Sequence, residues 1–202
     1  MGRNTTSFVF ILLFLATACK KSTTENPTPR KEFMYVQDER NLSYGDTSPL
    51  LIDMNKDGQG DFVLFIELVA DAQGDHMYFG INPLGENKVL SGPPDNSKYL
   101  NMGFAVAKNI PEPLGTNPQG GHIWTTDHSI LGLRHNKADN TIYNEGEWYG
   151  EVPRYAGIIV RKYNRTYLGW MRIKVNLLTM RITSIDYALE KSGQSQILTG
   201  EH

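Results

Sequence analysis

An all-β fold, an antiparallel β-sandwich, is predicted by three observations. Nineteen glycines and ten prolines punctuate short runs rich in Val, Ile, Tyr and Phe, the composition of many turns between many strands. The last third alternates with period two: Met171, Ile173 and Val175 point one way, and Trp170, Arg172 and Lys174 the other. That is the pattern of a strand with one face on a core. The third observation is the loop Asp53-Met54-Asn55-Lys56-Asp57-Gly58-Gln59-Gly60-Asp61, set between Leu50-Leu51-Ile52 and the apolar run Phe62 to Ile66. Side-chain oxygens at Asp53, Asn55, Asp57 and Asp61, with a backbone carbonyl at Gln59, suit a hard cation that takes six to eight oxygens, so calcium is the expected cofactor. The alternative is a solvated Asp/Gly turn.

A chain of 202 residues, 40% hydrophobic, suits one domain with one core. A formal net charge of −2 with both signs interspersed offers no electrostatic footprint for nucleic acid. The lone cysteine, Cys19, excludes a disulfide within the chain. Arg3, the apolar run Phe8 to Leu15 and the small residues Ala16-Thr17-Ala18 precede it, the three parts of an export signal. Ending at a cysteine, residues 1–18 resemble a bacterial lipoprotein signal, which implies that Cys19 is lipidated and anchors the protein in a membrane. More than one acyl chain makes such anchoring stable. Residues 19–31, polar and with two prolines, read as a tether, and residues 32–202 as the sandwich.

Along the domain, Phe33 to Val36 is the first predicted strand and 41–48 a turn-rich segment. Phe62 to Val69 is apolar on both alternating faces, which predicts a central strand covered on both sides. Gln73-Gly74-Asp75 turns into its hairpin partner, His76 to Asn82. Met102 to Ala107 is a short strand, and 110–121 a long Pro/Gly-rich connection of the kind that often carries function. His122 to Thr125 and Ile130 to Leu133 are expected to form a hairpin through Thr126-Asp127-His128-Ser129. The stretch 143–151 reads as an edge or loop. Tyr155 to Tyr163 and Thr166 to Val175 pair through Asn164-Arg165. In Thr179 to Leu189 the apolar phase shifts after Ile182, which predicts a bulge near Ser184.

Candidate chemistry beyond the loop is sparse. Glu145, Glu147 and Glu151 sit among Trp148 and Tyr149, so a glycoside hydrolase with paired carboxylates is the alternative function. Trp124, Trp148 and Tyr149 are candidate glycan contacts by stacking, although aromatics are favoured in strands anyway. His122, His128 and His135 have the wrong spacing for an obvious transition-metal site.

The loop resembles the DxNxDGxxD calcium loops of FG-GAP propeller repeats, dockerins and thrombospondin type 3 repeats, families that repeat it where this chain has it once. Leu64 stands where an EF-hand places its bidentate glutamate, so by this resemblance Asp61 has to supply more of the coordination. Residues 155–200 resemble the end of a β-sandwich of secreted bacterial proteins, with Gly169-Trp170 opening one strand and Asp186-Tyr187-Ala188 closing the next. With the signal, the whole is similar to lipoproteins of the Bacteroidota type. The resemblance implies a calcium-stabilised module lipid-anchored in the cell envelope, at the outer membrane, whose partner is a glycan or another surface protein.

Overall fold

Period-two alternation becomes fourteen strands among the described residues of a computed structural model, which are 30–95, 99–148, 150 and 152–202. The signal, Cys19 and the tether up to residue 29, with Tyr149 and Glu151, lie outside them. The first strands are β1 (Phe33–Ser43), β2 (Leu50–Ile52), β3 (Phe62–Asp71), β4 (Gly74–Pro83) and β5 (Lys88–Ser91). Next come β6 (Gly103–Phe104), β7 (Pro113–Gly115), β8 (Ile123–Thr125), β9 (Ser129–Lys137) and β10 (Ile142–Glu145). The last are β11 (Arg154–Lys162), β12 (Arg165–Asn176), β13 (Arg181–Glu190) and β14 (Gln196–Leu198).

Two sheets form the sandwich. The first runs β1-β13-β12-β11-β5-β8 and the second β10-β9-β4-β3-β2; β6 adds to β9 in parallel, and every other pairing is antiparallel. Their facing sides bury Phe62, Phe79 and Ile81 against Ile158, Ile173 and Tyr187. Burying a large apolar side chain contributes about 1.5–3 kcal/mol. A third layer, the β7–β14 pair, covers the outside of the first sheet, where Leu114 and Ile197 pack on Leu168 and Trp170. That layer explains why β11 is buried on both faces and why Trp170 is buried on the polar side of its alternation. Its indole N–H donates to the Glu201 carbonyl at 2.9 Å.

The shift in apolar phase in the C-terminal strand is a bulge: Arg172 pairs with Asp186 and Ile173 with Ser184, leaving Ile185 extra. It sets Asp186 on the outer face beside Arg172, where the guanidinium grips the carboxylate and Tyr35 Oη donates to it at 2.9 Å.

Several expectations are corrected. Ile123–Thr125 and Ser129–Lys137 form no hairpin, because β8 pairs with β5 and β9 with β4, and the segment between them crosses from one sheet to the other. β3 is covered on both sides only at its start. β2 reaches no further than Leu64, so Leu68 is exposed. The β11–β12 turn is Tyr163-Asn164, one residue earlier than expected, with both residues left-handed, as a two-residue type I′ hairpin requires. Beyond Val36, β1 continues to Ser43, because β13 offers partners that far.

Candidate functional site

The oxygen-rich loop joins β2 to β3 at one end of the sandwich, and its ends are held by the core. Ile52 and Met54 are fully buried, so the chain enters the loop pinned on alternate residues. The Tyr187 hydroxyl reaches out of the core to donate to the Asp53 carbonyl at 3.1 Å. Left-handed Lys56 and Gly58 then turn the backbone inward on its own acids. Asp53 accepts from the amides of Asp57 and Gly58, Asn55 Oδ1 from Asp57 N at 3.0 Å, and Asp57 Oδ1 from Gln59 N at 2.8 Å.

Asp61 behaves differently from its loop partners. Its buried Oδ2 accepts from Met54 N at 2.8 Å and Asn55 N at 3.2 Å, while Oδ1 and the Asp61 carbonyl both take the Asn87 side-chain amide at 3.1 Å. Asn87 in turn accepts from Arg161 N at 2.8 Å, which ties the loop to β11 across the sandwich. Burial pushes the Asp61 carboxyl above its ordinary range, and these hydrogen bonds only partly offset that. In this structure Asp61 closes the loop, with Oδ2 on two backbone amides and Oδ1 on the side-chain amides of Asn87 and Asn55.

The remaining donors fit a hard cation by their chemistry. Each oxygen of Asp53, Asn55 and Asp57 that accepts one amide hydrogen keeps a second lone pair, and the Gln59 carbonyl lies in the same turn. One cation of the protein's own competes: the Lys162 ammonium, on β11, sits against Asp57 Oδ2. Among the described residues no three carboxylate, imidazole or thiol groups converge on one point. Any ion here therefore rests on one amide and one backbone carbonyl besides its carboxylates, and has to displace Lys162. Sequence reasoning missed Asn87, Lys162 and Tyr187, which lie 26 or more positions beyond Asp61 and carry no motif.

Aromatic candidates are used internally. Trp148 is 1% exposed in the sandwich core, with its indole N–H donating to the Ala105 carbonyl at 2.7 Å. It is a core residue, which corrects the expectation of a glycan contact. Trp124 is half-buried against the third layer and donates to the Gly115 carbonyl at 3.1 Å, so it braces the loop beside it with its polar edge.

That loop forms one wall of a groove of about 540 Å³. Thr116, Asn117, Gln119 and His122 face Ser195 and Gln196 over a floor of Leu90 and Leu114, with Lys108 at the rim. The walls are joined through the backbone, Thr116 N to the Ser195 carbonyl at 3.0 Å. His122 also lines a second groove of about 400 Å³ with Phe104, Val106, Glu145 and Glu147. The structure thus brings Glu145 and Glu147 together and keeps the histidines apart: His128 lies against the Phe65 ring, and His135 packs against His76.

Comparison of the chain with family models, with curated proteins and with solved structures finds no match to any of them.

Proposed function

We propose that the protein is a lipid-anchored binding module of the cell envelope, stabilised by calcium, whose groove between residues 113–122 and 195–196 takes a neutral polyhydroxylated ligand, a glycan. The lining of that groove carries the proposal. Carboxamides at Asn117, Gln119 and Gln196 and hydroxyls at Thr116 and Ser195 both donate and accept hydrogen bonds, as sugar hydroxyls do. Leu90 and Leu114, almost fully buried, close the bottom of the groove, and Pro113 and Pro118 supply the apolar surface that a sugar ring meets. Calcium, held by Asp53, Asn55, Asp57 and the Gln59 carbonyl, supplies positive charge that offsets repulsion between the loop carboxylates.

The double variant Asn117→Ala, Gln119→Ala alters exposed side chains on the groove wall, so it is expected to leave folding intact. A glycan array identifies the ligand, and titration calorimetry should show that the double variant weakens its binding by about fivefold to 150-fold, the effect of losing two hydrogen bonds worth about 0.5–1.5 kcal/mol each. Unchanged affinity would remove the groove from the proposal. Release of reducing sugar from the bound glycan, abolished by Glu145→Gln, would favour the hydrolase instead.

The address follows from the sequence before the fold. Cys19→Ser is expected to shift the protein from the membrane fraction to the soluble one on fractionation. Unaltered membrane association would count against the anchor.

A further inference from the structure

On the outer face of the second sheet, Val69, His76, His135 and Tyr143 stand directly opposite one another on β3, β4, β9 and β10. Directly opposed side chains have Cβ atoms about 4.5–5.5 Å apart, so the two imidazoles meet. His76 Nδ1 lies 2.7 Å from His135 Nδ1, with the rings edge to face. His135 also stacks on Tyr143, ring centres 4.1 Å apart. Both outer nitrogens face carboxylates: His76 Nε2 is 3.1 Å from Asp71 Oδ1, and His135 Nε2 is 2.9 Å from Glu145 Oε1. The second approach is an ion-pair contact, off the line of a hydrogen bond.

Two ring nitrogens at 2.7 Å require one hydrogen between them. Two lone pairs would repel at that distance, and two N–H groups would collide. With an N–H on His76 Nε2 toward Asp71, one further hydrogen between the facing Nδ1 atoms completes the pair. We propose that His76 and His135 hold a single shared proton as a pH-sensitive latch, and that a second proton splits the pair and turns His76 outward with Asp71. The latch and the groove rest on different residues, so either stands without the other.

The surroundings decide which ring moves. The His76 side chain is 14% exposed and Asp71 55%, whereas His135 is 8% exposed and held by the Tyr143 ring. β3 has no strand beyond it past Leu64, which leaves the Asp71 end of the β3–β4 hairpin with fewer neighbours. Charged and titratable groups facing the pair are Asp71 and Glu67 from β3, Tyr78 from β4, Lys137 from β9, and Tyr143 and Glu145 from β10; the covering segment adds the neutral Met102 and Phe104. Burial pushes the His135 imidazole below its ordinary pKa, with Lys137 acting in the same direction and Glu145 against it. A histidine depressed in this way binds protons more weakly folded than unfolded, so stability falls as pH drops through the unfolded value of about 6.5.

Long-range proton–nitrogen NMR of the histidine rings, recorded from about pH 4 to about pH 9 to bracket that value, tests the latch. At neutral pH the two Nδ1 signals should report one proton between them and a coupling across the hydrogen bond. Acid should protonate both and abolish the coupling, in steps that belong to the pair rather than to either ring. Both Nδ1 atoms bare, or both protonated, at neutral pH would overturn the proposal, as would one equivalent of Zn²⁺ shifting both signals together. Melting followed against pH should show an acid loss in the wild type that is mostly absent in His135→Asn and reduced in His76→Asn; the same pH profile in all three proteins would also overturn it.

Discussion

Trp148→Ala is expected to destabilise the protein by about 3–5 kcal/mol, the cost of removing a large buried aromatic and leaving its cavity. The indole is 1% exposed and its N–H satisfies the Ala105 carbonyl, so the substitution also leaves a buried acceptor without its partner. For a domain of this size each kcal/mol moves the melting temperature by about 2–4 °C, so a fall of roughly 10 °C is expected. Urea or thermal melts measure it directly. A change within about 0.5 kcal/mol, the range of surface substitutions, would place Trp148 on the surface and return it to the glycan contacts.

Asp61→Ala should cost about 3 kcal/mol, because it strands the Met54 and Asn55 amides and the Asn87 side chain, at about 1–3 kcal/mol for each buried donor left unsatisfied. Relief of a buried charge offsets part of that sum, since Asp61 is held above its ordinary pKa by burial. The loss should be the same in calcium and in chelator. Calcium itself is expected to stabilise the wild type by about 1.4–2.7 kcal/mol at about 10 mM, given the affinity of about 10⁻⁴ to 10⁻³ M usual for extracellular modules. Asp57→Ala should abolish that increment, whereas Asp61→Ala should retain it. If Asp61→Ala matches the wild type in chelator and loses only the calcium increment, Asp61 is a ligand and its loop-closing role is wrong. Identical wild-type melting in calcium and chelator would end the calcium proposal.

These two residues mark where sequence reading stops. Asp61 fits the spacing of a ligand, and nothing local distinguishes it from Asp57; its different role comes from Asn87, 26 positions on, and from burial beside Met54. Trp148 sits among glycines and acids that read as an exposed edge, yet the loop carries it back beneath Ala105 into the core. By sequence alone His135 groups with His122 and His128, whereas its partner His76 is brought to it only by the pairing of β4 with β9.

Local pattern sufficed for whatever depends on neighbours in the chain. Alternation marked β11, β12 and β13 to within two residues, the phase shift near Ser184 marked the bulge, and Gln73-Gly74 and Asn164 marked the β3–β4 and β11–β12 turns to within two residues, because strand faces and turn dihedrals are set over a few residues. Tertiary structure alone decided which sheet each short strand joined, which polar face was covered and which acid became a clamp. Those outcomes depend on burial and register between segments far apart in the chain: β8 and β9 separate because their backbones find partners in β5 and β4, and Trp170 is buried because the β7–β14 pair closes over it.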